Sequence, residues 1–311
     1  MKTVRKILPL IGIIILIYVI TKVGLDDIIN AFKTIKWVYI ILSIAAGFII
    51  AVLQAWKWDV IIKRQGIYLP FLYVLKVQMI STFYGNITPG RVGSFVKVLY
   101  LKEKTNKNLG NCISSVTLER FFDLFMVSLF AFFGSIIALK YFPGIFWELL
   151  IIFMILVMLL LISINKKLKE FLIMKSFDVL VPSRFKDRAK TAFVSFHDSL
   201  LKPSQVALPI IATIVTWIAI YAQMYLVALA LSLSIPFFQF IFISSIGTMV
   251  SLIPITIGGI GTTEASLTVL YYKIFGINPP VALSLALINR FIGLVVALIG
   301  GIISLIEEKY L

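Results

Sequence analysis

The chain has 311 residues, of which 60% are hydrophobic and 14% are charged, and it carries a formal net charge of +15. Soluble domains are about half apolar and about a quarter charged, and disordered chains are poorer still in apolar residues, so both classes are excluded. The sequence predicts an all-α polytopic membrane protein, with a single transmembrane domain over residues 1–311 and no stretch of the about 100 residues that a soluble catalytic domain needs.

Long apolar runs predict the membrane-spanning helices. The first, residues 7–20, follows Lys2, Arg5 and Lys6 and lacks a small-residue cleavage site after it, which favours an uncleaved helix over a signal peptide. Further spans are predicted over residues 37–56, 112–139, 145–164, 206–232 and 282–306. A basic segment, 57–64, and one substantial polar loop, 165–205, lie between them.

Two regions, residues 71–101 and 237–275, do not fit a full crossing. In the first region, two short apolar pieces flank the Gly/Pro-containing stretch from Gly85 to Gly93. Neither piece reaches the about 20 residues that a membrane span requires. Broken backbone is tolerated at membrane depth only where protein or water covers it, so each region is predicted to form a re-entrant helical hairpin.

The two irregular regions share the pattern I-T-x-G-x-[VI]-G-[ST]. The pattern begins at Ile87 and again at Ile255. Downstream, an Arg-Phe step at Arg120 recurs at Arg290 with nearly the same spacing, and both steps lie in an apolar span. Two matches at nearly one offset favour an internal repeat over chance similarity between glycine-rich loops.

Charge predicts that the repeat is inverted. If the N-terminus is cytoplasmic, nearly all of the net positive charge falls in segments on the cytoplasmic side, as the positive-inside rule requires. The two halves, about residues 37–139 and 206–306, then run in opposite directions, with both termini and the loop 165–205 in the cytoplasm. Inverted repeats with broken helices are typical of secondary transporters, which bind substrate where the repeats meet. The predicted location is the cell (inner or plasma) membrane.

Six ionisable residues form the predicted substrate-binding set: Arg91, Glu119, Arg120, Asp123, Glu264 and Arg290. Charges at membrane depth are costly and therefore point to function. Arg120 and Arg290 are predicted to approach each other across a pseudo-two-fold axis and to hold a phosphate, which guanidinium groups bind bidentately. The three carboxylates would hold a cationic part of the headgroup or a coupling ion. The alternative is static ion pairing of Glu119 with Arg91, Asp123 with Arg120, and Glu264 with Arg290.

The residues of the two breaks are predicted to shape the same site. They are Thr88, Pro89, Gly90, Gly93 and Ser94 in the first break, and Gly258, Gly259, Gly261 and Thr262 in the second. Ser94 and Thr262 are suitable N-caps for the half-helices that follow, whose N-termini would face an anion. The glycines also permit close helix packing. A nucleotide-binding loop is excluded, because no preceding strand and no Lys-Ser/Thr ending are present.

No cofactor, metal site or catalytic residue is predicted. Cys112 and His197 are each the single residue of their type, which leaves no metal-binding cluster, and no nucleophile accompanies the carboxylates. The basic loop 165–205 carries five interleaved phenylalanines. This favours contact with the anionic inner-leaflet surface over a merely solvated connector. Nucleic-acid binding has no support beyond charge.

Three stretches resemble a known family. They are residues 86–93, the Leu-Glu-Arg-Phe-Phe-Asp step at 118–123 and residues 253–264. Together they are similar to the lysylphosphatidylglycerol synthase transmembrane-region family, and the similarity covers nearly the whole chain. The positions that match the family pattern are Arg120, Asp123, Gly258, Gly259, Gly261 and Glu264. The resemblance implies a flippase-like membrane region. It does not imply synthase activity, because aminoacyl transfer belongs to a separate cytosolic domain that this sequence lacks.

The leading hypothesis is a flippase or translocase that moves an anionic phospholipid or lipid-linked substrate between leaflets. Two alternatives stay open: a small-anion or solute secondary transporter of the same architecture, and a membrane-embedded partner of a lipid or glycan synthase. Membrane lipid is the expected partner, no enzymatic activity is expected, and the oligomeric state is left open.

Overall fold

The computed structural model describes residues 14–24, 26, 28, 33, 35–164, 195 and 199–307, and every regular element in them is helical. The α-helices are α1 (Ile14–Val23), α2 (Trp37–Arg64), α3 (Phe71–Asn86), α4 (Val96–Lys104), α5 (Leu109–Ala138), α6 (Pro143–Ile164), α7 (Ala207–Ala230), α8 (Phe237–Leu252), α9 (Thr262–Phe275) and α10 (Pro279–Ile306). Five of those described, α2, α5, α6, α7 and α10, are long and apolar enough to cross a membrane. The protein is therefore an all-α polytopic membrane protein, as predicted.

The predicted spans match the long helices closely at each end, apart from the end of α2. This helix continues to Arg64, because no Gly or Pro occurs between residue 56 and Gly66. The predicted end of the helical span at residue 56 is therefore too early, since residues 57–64 belong to the same helix, and Lys57 is buried. The side of the membrane on which this segment lies stays a prediction. Residues 1–13 and most of the loop 165–205 lie outside the described part of the chain, and so does the predicted membrane-surface contact of that loop.

Short helices in pairs occupy the two regions where broken backbone is predicted. Residues 87–95, which include a 3₁₀ turn at Val92–Phe95, separate α3 from α4, and residues 253–261 separate α8 from α9. The longest of these four helices has 16 residues. None therefore reaches the about 20 residues of a full span. The breaks lie where the Gly/Pro stretches predict them, and a re-entrant course through a membrane stays a prediction.

Helices from the two predicted halves pack against each other reciprocally. Helix α2 packs on α7, α5 packs on α8, and α10 packs on α3. Glycines bring the last two pairs close together. A Cβ atom on Gly134 would lie 2.1 Å from the carbonyl oxygen of Phe242, and one on Gly300 would lie 2.0 Å from that of Met79. Each contact between the halves thus has a counterpart, although the inverted direction of the repeat stays a prediction.

The two breaks meet inside the helical assembly. Pro89 of the first break and Ile257 of the second form an isolated antiparallel β-bridge. These residues occupy the same place in the shared sequence pattern. Antiparallel pairing of equivalent residues is the contact that a two-fold relation between the halves would produce. The residues around both breaks are consequently neighbours.

Candidate anion site

Uncharged groups hold the first break in shape. The hydroxyl of Thr88 donates to the carbonyl oxygen of Tyr84 at 2.8 Å and accepts from the backbone N–H of Gly93 at 2.7 Å. A Cβ atom on Gly93 would lie 2.2 Å from that same carbonyl oxygen, so only glycine fits there. Two residues of the same break, Gly90 and Arg91, have φ angles of 59° and 57°. The left-handed conformation is uncommon for arginine, and the Arg91 side chain reaches the cavity described below.

The second break is built mainly from glycine. Gly258, Gly259 and Gly261 have φ angles of 57°, 72° and 80°, a region that glycine adopts without strain. A Cβ atom on Gly258 would lie 2.6 Å from the carbonyl oxygen of Asn86. The two breaks therefore touch through backbone, and this contact requires the absence of a side chain at Gly258.

Arg290 and Glu264 fasten the second break. The guanidinium group of Arg290 donates to the carbonyl oxygens of Gly258 and Gly259, at 2.8 and 3.1 Å, and its Nε pairs with the Glu264 carboxylate. The other carboxylate oxygen of Glu264 accepts from the N–H of Gly261 at 2.7 Å. The guanidinium group of Arg290 is thus bound by carbonyl and carboxylate oxygens of the protein itself. Arg290 thus has a structural role in this conformation, and the predicted Glu264–Arg290 ion pair is confirmed.

Arg91 and Arg120 have no such partners. Neither side chain forms a hydrogen bond or an ion pair with any residue that the structure describes, and the Nε atom of each is buried without a partner. Arg91 lies within electrostatic reach of Arg120 and Arg290, whose charges repel it, and of Asp123, whose charge attracts it. Charged groups whose donors are buried without acceptors are costly. Two of them close together are therefore a place where a bound anion would be stabilised.

Two lysines neutralise the carboxylates of α5. Lys97 pairs with Glu119 at 2.6 Å, and Lys57 lies 2.6 Å from Asp123 and 3.6 Å from Glu119. Both lysine side chains are 3% exposed or less. The indole N–H of Trp217 donates to Asp123 at 2.9 Å. The predicted alternative pairs Glu119–Arg91 and Asp123–Arg120 are therefore wrong, because lysines occupy both carboxylates.

The sequence prediction omits Lys57 and Lys97, because each stands beside an apolar run in a stretch rich in basic residues, which is the usual signature of a cytoplasmic loop. The run without Gly or Pro up to Gly66 was the signal that α2 continues past residue 56. No comparable signal marks Lys97, which lies one residue inside a short helix with Lys102 and Lys104 at its end. Its burial follows from packing, with the ammonium 4.6 Å from the ring centroid of Trp58.

Positive charge exceeds negative charge around the two breaks. The cations are Lys57, Arg91, Lys97, Arg120 and Arg290, and the carboxylates are Glu119, Asp123 and Glu264. Every carboxylate has a lysine or arginine partner, so the excess of two positive charges lies on Arg91 and Arg120. A bound phosphate, with one or two negative charges, would balance it.

A cavity of about 270 Å³ adjoins this charge cluster and is lined by residues from both halves. Its size is close to the lower end of small-ligand pockets, roughly 300–1,000 Å³. Arg91, Glu264 and Arg290 are its ionisable lining residues within the described chain. The rest of the wall is mainly apolar, but it also carries neutral polar side chains, among them Gln54 and Asn289. The cavity can therefore take a polar group that carries negative charge.

Two predicted helix caps need correction. Gly261, and not Thr262, is the N-cap residue of α9, while Ser94 lies inside the 3₁₀ turn and donates to the carbonyl oxygen of Arg91 at 2.8 Å. The Thr262 hydroxyl likewise donates back to the carbonyl oxygen of Gly259, at 3.1 Å, so both hydroxyls bind the backbone of the break before them and not the helix after them. A direct approach of Arg120 to Arg290 also stays a prediction, since Arg91 is the residue near both.

The fold and the site define a class: a multi-pass α-helical membrane protein in which two helix breaks meet beside a cavity lined by Arg91, Glu264 and Arg290. Residues 7–301 match the lysylphosphatidylglycerol synthase TM region, and the chain belongs to that family. It is 24% identical to a UPF0104 membrane protein of Pyrococcus horikoshii, over 99% of this chain and 98% of that one. It is also 23% identical to a UPF0104 membrane protein of Methanocaldococcus jannaschii, over 99% and 96% of the two chains.

Proposed function

We propose that this protein moves an anionic phospholipid or lipid-linked substrate between the two leaflets of the membrane. The observation that carries the proposal is the pair Arg91 and Arg120, two half-buried arginines whose buried Nε atoms have no partner in the described chain. Of the two, Arg91 lines the cavity next to the breaks. Guanidinium groups bind phosphate oxygens bidentately and are the usual choice for that task. The proposal contains no chemical step.

The headgroup would occupy the cavity while the lipid chains stay in the bilayer. Gly293 and Leu294 of α10 line the cavity and are also exposed on the surface of the protein. The cavity wall thus reaches a helix surface made of apolar residues, which in a bilayer faces lipid. This arrangement supports a substrate with a lipid tail over a small solute that enters and leaves through water.

Transport would proceed by movement of one half against the other. Reciprocal contacts between the halves and the meeting of the two breaks are the features of an inverted repeat that rocks about a central site. In this account Arg290 and Glu264 keep the second break rigid, while Arg91 and Arg120 meet the phosphate. The cytoplasmic location of both termini, in a cell membrane, belongs to the same proposal and explains the basic loop 165–205.

The test is lipid translocation in proteoliposomes. Purified protein is reconstituted with acyl-labelled fluorescent phosphatidylglycerol, and the accessible label is bleached with dithionite. Wild-type protein should expose inner-leaflet label faster than protein-free vesicles do. Arg91→Gln and Arg120→Gln should each slow this by about 10–100-fold, the loss of one charge-assisted contact. Arg64→Gln, at an exposed arginine, is the matched control and should leave the rate unchanged.

The same vesicles separate the alternatives. Uptake of radiolabelled phosphate or glycerol phosphate, with no movement of labelled lipid, would support a small-anion transporter instead. If neither lipid nor solute moves although the protein is folded, the flippase proposal fails, and a role as partner of a synthase gains support.

A further inference from the structure

The cavity offers anion-binding groups but no free carboxylate. Glu264, the one acidic residue in its described lining, accepts from both Arg290 and the N–H of Gly261. The nearby Glu119 and Asp123 are held by Lys97 and Lys57. A positively charged amine brought into this space would lie near the excess positive charge of Arg91 and Arg120 and would find no counter-ion.

Neutral hydrogen-bonding side chains lie among the apolar residues that line the rest of the cavity. The side-chain amide nitrogens of Gln54 and Asn86 donate to no residue that the structure describes, and the buried hydroxyl of Thr263 has no partner there. The side-chain N–H groups of Gln223 donate to Ser43 at 2.6 Å and to Asn289 at 3.3 Å. The side-chain carbonyl oxygen of Gln223 remains as an acceptor. Amides and hydroxyls both donate and accept, so they match the hydroxyl groups of a glycerol or a sugar.

We propose that the cavity selects lipids whose phosphate is followed by an uncharged, hydroxylated headgroup, and that it rejects headgroups that carry an amine. This proposal rests on the proposed lipid translocation and adds the class of substrate. Discrimination arises from both sides. The amides and the hydroxyl of the cavity form hydrogen bonds with hydroxyl groups of the headgroup. The unpaired guanidinium groups repel a headgroup amine, and specificity often depends on such a repulsive element.

The experiment compares acyl-labelled lipids with matched chains in the proteoliposome assay: phosphatidylglycerol, phosphatidylethanolamine and lysyl-phosphatidylglycerol. Phosphatidylglycerol should move at least about 10-fold faster than the two amine-bearing lipids, the discrimination of a single well-placed polar contact. Equal rates for all three lipids, or faster movement of an amine-bearing lipid, would overturn the selectivity and leave translocation standing. Failure to move any lipid would reject the translocation proposal itself.

A change of specificity provides a second test. Gln54→Glu adds a carboxylate to the cavity with almost no change in side-chain shape. It should raise the rate for phosphatidylethanolamine relative to phosphatidylglycerol by several-fold, because the amine gains a counter-ion. Gln239→Glu, at an exposed position of α8 outside the cavity, is the matched control and should leave the ratio unchanged. An unaltered ratio in folded Gln54→Glu protein would contradict the inference.

Discussion

The two breaks solve the same backbone problem with different chemistry. Gly93 and Gly261 hold the same place in the shared pattern, and each has an N–H group that needs an acceptor. In the first break the acceptor is the neutral hydroxyl of Thr88, at 2.7 Å. In the second it is the carboxylate of Glu264, at 2.7 Å. The two acceptors differ in charge, and the contacts of Arg120 and Arg290, the arginines of the two Arg-Phe steps, differ with them.

The difference separates an arginine that has partners within the protein from one that has none in the described chain. Glu264 binds Arg290 with its second oxygen, and the carbonyl oxygens of Gly258 and Gly259 complete the contact. In the first half no carboxylate stands at the corresponding position, where the pattern places Val96, and Arg120 has no described partner. The same Arg-Phe step therefore has two different environments, and the difference goes with the residue in the first turn of the helix after each break, Val96 or Glu264.

Removal of the Glu264 carboxylate, the charged acceptor of the second break, should have the largest effect on stability. Glu264→Gln leaves Arg290 without its counter-ion and weakens the acceptor of the Gly261 N–H. Breaking a buried pair in this way costs about 3–5 kcal/mol, so we expect a strong fall in melting temperature in detergent. Glu148→Gln, at an exposed glutamate, should change nothing. A normal melting temperature for Glu264→Gln would mean that the charged contact does not hold the second break.

A side chain at Gly258 should separate the two breaks. Gly258→Ala forces alanine into the left-handed region, which costs about 1–2 kcal/mol, and its Cβ atom would lie 2.6 Å from the carbonyl oxygen of Asn86. Gly276→Ala is the control, because its φ of 67° is similar while no atom lies within 4 Å of the added Cβ. The melting temperature of Gly258→Ala should fall further than that of Gly276→Ala. Equal losses would contradict the contact between the breaks.

Loss of the Thr88 hydroxyl, the neutral acceptor of the first break, should destabilise the protein less than loss of the Glu264 carboxylate. Thr88→Val keeps the shape of the side chain but leaves the Gly93 N–H unpaired, at a cost of about 1–3 kcal/mol. Thr88→Ser retains the hydroxyl and should recover most of the stability. Thermal denaturation of the two variants side by side measures the difference, and equal stability of the valine and serine variants would exclude the hydroxyl as the acceptor that matters.

Val96→Glu places a carboxylate in the first half at the position that corresponds to Glu264. We expect it to have the smallest effect on stability and a clear effect on transport. Val96→Glu should supply Arg120 with a counter-ion and so compete with the substrate phosphate. Lipid translocation should fall by about 10-fold, the typical value of one charge-assisted contact, while the protein still folds. Val96→Gln tests for an effect of shape alone and should retain transport. If both variants transport equally well, Arg120 is not the residue that meets the phosphate.

The sequence predicted the elements better than it predicted the partners. Apolar length places α5, α6, α7 and α10 close to their observed ends, because a helix in a bilayer has to keep its apolar run long and unbroken. Gly and Pro likewise mark both breaks. These are local signals, and they are readable without knowledge of what lies next to the helix.

The partners of the buried charges depend on contacts between distant segments. Lys57 pairs with Asp123, 66 positions away, and Lys97 pairs with Glu119. A basic residue at the end of an apolar run has the same sequence signature whether it faces the cytoplasm or a buried carboxylate. The sequence therefore predicts that ionisable residues are present near the breaks, but it does not distinguish the contacts of Arg120 from those of Arg290.

The most direct test of this account measures two quantities on the same preparations of Arg120→Gln and Arg290→Gln: the rate of phosphatidylglycerol translocation and the melting temperature. Arg120→Gln should lose transport by about 10-fold or more and keep or raise its melting temperature, since it removes an unpaired buried charge. Arg290→Gln should lose melting temperature first, because it breaks the contact that holds the second break. The same pattern in both variants, or transport retained in Arg120→Gln, would contradict the division of roles between the two arginines.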